Sequence, residues 1–181
     1  EPLQAQASVE GTLAGAQARL RLQGQLQPSG LPRRGQAVPQ ASVAAEILPW
    51  AAQPVHSASV KASRVDLSVL WPGAPRTDLS GTASATPGGG QWRAEVDLAN
   101  AVSGPWDAQR LPLETLRARV LQTGTQAWRL EELNAFAAQG RLQAQGSLLL
   151  GETTRLTSAS GSLQWTGLNP AALLSTLPAA P

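Results

Sequence analysis

Leu3-Gln4-Ala5-Gln6-Ala7-Ser8-Val9-Glu10-Gly11-Thr12-Leu13 alternates apolar or small residues with polar ones at every step. Successive side chains of a strand point to opposite faces, so a period of two marks a strand with one greasy face. The following stretch has the same rhythm. Ala16, Ala18, Leu20, Leu22, Gly24 and Leu26 share one face, opposite Gln17, Arg19, Arg21, Gln23 and Gln25. The short connection at Ala14-Gly15 makes the two an antiparallel hairpin.

The rhythm continues outward from this hairpin. Val43, Ala45 and Ile47 alternate with Ser42, Ala44 and Glu46, and Val65, Leu67 and Val69 alternate with Arg64, Asp66 and Ser68. Leu79, Gly81, Ala83 and Ala85 follow. Trp92, Ala94, Val96 and Leu98 oppose Arg93, Glu95 and Asp97, and Leu116, Ala118 and Val120 oppose Arg117, Arg119 and Leu121. Trp128 and Leu130 flank Arg129; Leu142, Ala144, Gly146, Leu148 and Leu150 come next, and Ala159, Gly161, Leu163 and Trp165 close the series. The chain therefore reads as all-β, built from long antiparallel strands. One short helix is expected over 169–177, with Asn169 as its cap, Pro170 in its first turn and Pro178 ending it. A weaker helical or turn signal lies at Pro112–Leu116. Gln27–Pro39 reads as an exposed loop, and Trp71–Asp78, Thr86–Gly90 and Ser103–Trp106 read as turns.

At 181 residues the chain fits one β-rich segment, 1–181, and both of its ends read as cuts within a longer protein. Apolar runs such as Leu148-Leu149-Leu150 fall far short of the ~20 residues of a membrane helix. The net charge is +2, and Lys61 is the sole lysine among 14 basic residues. The arginines are scattered apart from Arg33-Arg34, without the basic and aromatic patch of a nucleic-acid binder. With no cysteine, disulfides, thiol catalysis and thiolate metal sites are excluded.

Catalytic patterns are not found. His56 is the one histidine and has no carboxylate pattern near it, so neither a Ser-His-Asp relay nor a histidine metal pair is indicated. Glu131-Glu132 are neighbours that an unbroken strand directs to opposite faces, one solvated and the other an edge or salt-bridge residue. Gly88-Gly89-Gly90 lacks the Lys-Ser/Thr of a phosphate loop and reads as a hairpin tip. The expectation is a non-enzyme with no cofactor, no metal and no nucleic-acid partner.

An apolar-x-Gly-x-apolar motif recurs at Gly11, Gly24, Gly81, Gly146 and Gly161, always with glycine on the apolar face. Glycine there accommodates strand bending or close approach of another backbone. Of six tryptophans, Trp92, Trp128 and Trp165 fall on the apolar face, whereas Trp50, Trp71 and Trp106 sit at Pro/Gly turns. Tryptophan suits such half-wet boundaries.

Long alternating strands, the recurrent Leu-x-Gly motifs, Ser/Gln/Thr-rich polar faces and the passage Gly161-Ser162-Leu163-Gln164-Trp165 before Leu168-Asn169-Pro170-Ala171-Ala172-Leu173-Leu174 resemble the TamB family and its AsmA-like, bridge-forming relatives. The resemblance implies a sheet rolled into a U-shaped, taco-like trough with a hydrophobic interior. It implies a periplasmic setting, in a protein anchored in the inner membrane and reaching the outer one. It also implies phospholipid transport and support of outer-membrane protein assembly with a TamA-like barrel partner, contacted through the full-length protein. This chain would be an internal slice of such a trough.

The residues themselves point the same way. A two-layer domain needs a second apolar layer over its sheet, and few helices are on offer. The sheet then either closes on itself as a sandwich or barrel, or leaves a greasy channel. Many inward positions are Ala or Gly, which leaves room for acyl chains, each buried CH₂ contributing about 0.8 kcal/mol. The candidate groove residues are Leu20, Leu22, Val65, Leu67, Val69, Trp92, Val96, Leu98, Val120, Leu130, Leu142, Leu148, Leu163 and Trp165. The competing reading is a β-sandwich or solenoid scaffold, or an adhesin module, that binds protein or glycan.

Overall fold

The computed structural model describes residues 3–15, 18–28, 39–51, 54–88, 91–150 and 156–179. Ten strands follow one another: β1 (Leu3–Thr12), β2 (Arg19–Pro28), β3 (Gln40–Ile47), β4 (Val55–Val65), β5 (Leu79–Gly88), β6 (Gln91–Asn100), β7 (Leu113–Gln122), β8 (Ala127–Ala137), β9 (Gly140–Leu150) and β10 (Leu156–Thr166). They form one sheet in the order β1 to β10, each strand antiparallel to the next. The sheet is curled but unclosed, with β1 and β10 as its free edges. A single short helix, α1 (Pro170–Leu173), follows the last strand. The all-β architecture expected from the alternation is the one observed, and the curled, unclosed sheet is consistent with the trough that the resemblance implies.

Among the described residues the sheet has no second layer. The accessible surface of the chain is 12015 Å², against about 8,300 Å² for a typical compact protein of this mass. Among the described residues no large side chain is fully buried. β5, β6 and β7 alternate instead between half-buried apolar positions and exposed polar ones.

The ladder is interrupted where the alternation breaks. Each register shift falls in an apolar-polar-polar-apolar quartet: Val55-His56-Ser57-Ala58, Ala62-Ser63-Arg64-Val65, Leu113-Glu114-Thr115-Leu116, Leu130-Glu131-Glu132-Leu133 and Leu156-Thr157-Ser158-Ala159. An extra polar residue would flip every later side chain to the wrong face. A β-bulge absorbs it by setting two residues against one, and the apolar side chains keep their face. Bulges also raise the local twist, which adds to the curl.

One end of the trough is tied down. There the β4–β5 and β6–β7 connections and the C-terminal segment meet. The Asp66 carboxylate accepts hydrogen bonds from the Ser68 N–H and hydroxyl and from the Thr77 N–H at 3.0, 2.8 and 3.1 Å. Asn100, 6 % exposed, accepts from the Asp78 N–H and donates to the Leu113 carbonyl, both at 3.0 Å. The N–H of Asn169 donates to the Ala138 carbonyl, and the N–H and hydroxyl of Ser175 donate to Asp107 at 3.0 and 2.7 Å. Ala74, Thr77, Asn100, Ala135, Ala137 and Ala138, all buried, gather at this end.

Several local expectations are corrected. Leu67 and Val69 are not in a strand: the Asp66 cap turns Leu67–Val69 into a 3-10 turn. The helix stops at Leu173, because Leu174 is extended and Ser175 is held by Asp107. The weak signal at Pro112–Leu116 is mostly strand, and a 3-10 turn forms earlier, at Trp106–Ala108. Thr86–Gly88 belong to β5. Of the expected loop 27–39, Gln27 and Pro28 end β2, and residues 29–38 lie outside the described residues, as do 16–17 and 89–90.

Candidate functional site

The register joins the apolar positions into rows that cross the whole sheet. One row reads Val9, Leu22, Ala45, Ala58, Ala85, Ala94, Val120, Leu130, Gly146, Gly161. The next reads Ala7, Gly24, Val43, Val60, Ala83, Val96, Ala118, Leu133, Ala144, Leu163. The third reads Ala5, Leu26, Ala41, Ala62, Gly81, Leu98, Leu116, Ala135, Leu142, Trp165. None of the three rows contains a polar side chain. With strands about 4.8 Å apart, each row runs roughly 43 Å along the sheet. Row-to-row spacing of two residues makes the stripe about 13 Å wide.

More than half of these positions are Ala or Gly, and in β3, β4 and β5 the rest are Val43 and Val60 alone. Leucine and tryptophan stand at the flanks, in β2 and in β6–β10. The face is half-buried along most of its length, with Ala135 buried, and is most open at Val9, Val43 and Leu163, which are 59 %, 47 % and 68 % exposed. Two close approaches shape it. Gly81 has φ of +153°, and a Cβ there would run into the backbone carbonyl of Asp97. Gly146 faces Gly161, and a Cβ on Gly161 would lie 2.8 Å from the Gly146 Cα.

Of the candidates read from sequence, Leu22, Val96, Leu98, Val120, Leu130, Leu142, Leu163 and Trp165 lie in the three rows. Leu20 lies just beyond, paired with Ile47, and Val65 at the opposite end pairs with Leu79. Trp92 pairs with Pro87, and Leu148 with Trp128. Leu67 and Val69 stand apart in their 3-10 turn. Sequence reasoning missed Leu133, whose place in the rows depends on the bulge before it. The quartet Leu130-Glu131-Glu132-Leu133 was the available signal. The same bulge corrects the reading of the two glutamates: both lie on the polar face, opposite Gln145. Glu132 is in an ion pair, with Arg119 at 3.7 Å.

The opposite face is a polar ladder. Arg117 meets Asp97 at 2.6 Å and Arg119 meets Glu95 at 3.2 Å. Asn134 donates to Glu132 at 2.6 Å and accepts from Gln143 at 2.9 Å. The hydrogen bond and charge of Asp97 raise the Arg117 pKa further above neutrality. A hollow of about 590 Å³ on this face is lined by Asp97, Arg117, Glu132, Asn134 and Arg141, among others. It opens to water between these polar side chains and the exposed ring of Phe136. His56 is exposed, and no group of three metal-ligating side chains occurs among the described residues. Comparison with protein-family models, with curated proteins and with solved structures yields no match.

Charge elsewhere serves the tied end. Burial pushes the Asp66 carboxyl up, but hydrogen bonds from Ser68 and Thr77, with the charge of Arg76, outweigh it and hold it below the usual value. The Ser175 N–H and hydroxyl hold Asp107 low as well. The turn tryptophans stand out at both ends: Trp71 and Trp106 at the tied end, and Trp50 at the other, 66 % exposed with its indole N–H donating to the Leu13 carbonyl.

Proposed function

We propose that this chain is a non-enzymatic segment of a lipid-carrying trough, in the manner of the TamB-like proteins it resembles. The observation that carries this reading is the set of three apolar rows, unbroken across ten strands and without a second layer among the described residues. Exposed apolar patches beyond a few hundred Å² mark a binding surface. An acyl chain lying along the rows gains about 0.8 kcal/mol per CH₂ removed from water. The small floor of β3–β5 between bulkier flanks gives it depth. A lipid headgroup stays in solvent, so no specific polar contact is required. One unclosed sheet also fits this role better than a scaffold with a dry core between two layers. In this reading the chain works in the periplasm between inner and outer membranes. Its barrel partner, of the TamA kind, is engaged by other parts of a longer protein that also supports outer-membrane protein assembly.

The test is native mass spectrometry of the gently purified chain with organic extraction of what travels with it. Phospholipid or fatty acid at defined stoichiometry, lost in a V60E/V96R/L133E variant that keeps its strand content, is the expected result. A lipid-free mass that also refuses an added acyl probe overturns the reading and returns weight to a scaffold or adhesin.

A further inference from the structure

The polar ladder stops at one place. Beyond Glu132 and Asn134 the next residue of β8 on the polar face is Phe136, the one phenylalanine of the chain, 44 % exposed among charged and amide side chains. In the register Phe136 lies between Thr115 on β7 and Arg141 on β9, one row from Arg117 and Asn134. Arg141 enters no ion pair and no side-chain hydrogen bond among the described residues. An exposed aromatic ring and an unpaired guanidinium therefore border the hollow of about 590 Å³. That volume falls within the ~300–1,000 Å³ of small-molecule sites.

The hairpin turn holds this placement. β8 and β9 are joined by Ala138-Gln139, with φ of 48° and 62°, the pair of positive φ angles that a type I′ turn requires. The N–H of Asn169 donates to the Ala138 carbonyl, and its side-chain amide donates to Gln139 Oε1 at 2.7 Å. The C-terminal segment thus pins the turn that sets Phe136 against Arg141.

We propose that this hollow binds a glycan, with the C–H face of a pyranose stacked on the Phe136 ring. The donors and acceptors around the ring are mixed. Arg117 and Arg141 only donate, Asp97 and Glu132 only accept, and Asn134 does both. Both Arg117 bonds end on Asp97 Oδ2, at 3.1 and 2.6 Å, which leaves Oδ1 to accept from a ligand. A sugar hydroxyl both donates and accepts, so it can use every one of these groups. A phosphate or carboxylate would meet like charge at Asp97 and Glu132. An apolar peptide side chain would strip water from these charges without replacing their hydrogen bonds. A pyranose with equatorial hydroxyls presents axial C–H groups, which suit the electron-rich face of an aromatic ring. The site lies opposite the apolar rows and stands or falls separately from lipid carriage.

With one phenylalanine in the chain, para-fluorophenylalanine yields a single fluorine NMR signal, that of Phe136. The probes are cellotetraose and tetra-N-acetylchitotetraose, with glycerol phosphate as an anionic control. The expected result is a saturable shift with at least one tetrasaccharide, at a dissociation constant of about 1 mM or tighter. Arg141 makes no side-chain bond within the described chain, so R141A should keep its strand content and weaken binding at least fivefold. R129A, on the same face outside the hollow, should leave binding unchanged. A signal unmoved by both tetrasaccharides overturns the proposal, as does a shift that R141A leaves intact. A stronger saturable response to glycerol phosphate overturns it in favour of an anion site.

Discussion

Across β6–β9 one ladder of backbone hydrogen bonds presents two unlike faces. On one side Glu95, Asp97, Arg117, Arg119 and Glu132 pair with one another and with Asn134 while remaining open to water. On the other, Val96, Ala118, Leu133 and Ala144 are half-buried on the apolar side of the curled sheet, with no second layer over them among the described residues. The polar face satisfies itself, and each exposed ion pair contributes only about 0–1 kcal/mol. The apolar face cannot satisfy itself within the described chain. The difference locates function on the side whose chemistry is unfinished.

The largest effect should come from charging the unfinished face. V96R/L133E is expected to reduce bound or acquired acyl probe at least tenfold in native mass spectra, while R117A/E132A leaves it unchanged. Equal losses from both would erase the contrast. Next is the close approach at Gly81. G81V forces a side chain at φ +153° into the neighbouring strand's backbone, and should cost about 3 kcal/mol or more in urea denaturation. A83V, one row away without that clash, should cost less. Smaller again is the polar ladder: R117A should lower the urea midpoint less than A83V does, and less still in high salt.

Smallest is a local effect at the tied end. The Asp107 carboxyl is lowered by its bonds to Ser175. A lowered folded pKa contributes stability above the unfolded value of about 3.9, and that contribution is lost as pH falls through the folded value. As pH falls through the lowered folded value of Asp107, beneath the ordinary carboxylate range, the C-terminal segment should detach, seen as a change in Trp106 fluorescence while strand content persists. D107N should show the detached signal already at neutral pH.

The two faces were legible in the sequence because alternation is a direct record of pleat, and the hairpins followed from it. Register was not legible beyond each hairpin, since it depends on where extra residues are absorbed. Leu133 shows the limit: plain alternation from Leu130 places Glu132 on the apolar face and Leu133 off it. The doubled polar residues of the five quartets were the visible sign of the bulges. Leu67 and Val69 were misread for a different reason. Their alternation is genuine, but Asp66 offers the backbone a competing cap, and Thr77 from the far side of the loop locks it. The early end of α1 depends on Asp107, distant in sequence, and no local propensity signals it.

The most direct test of the apolar face is a photocrosslinking scan with a purified phospholipid pool. A photoreactive residue is placed at Val60, Val96 or Leu133 in the rows, and at Lys61, Asp97 or Asn134 on the ladder. The account predicts lipid adducts at the three row positions at least tenfold above those at the ladder positions. Equal labelling of the two faces, or none on either, would contradict it.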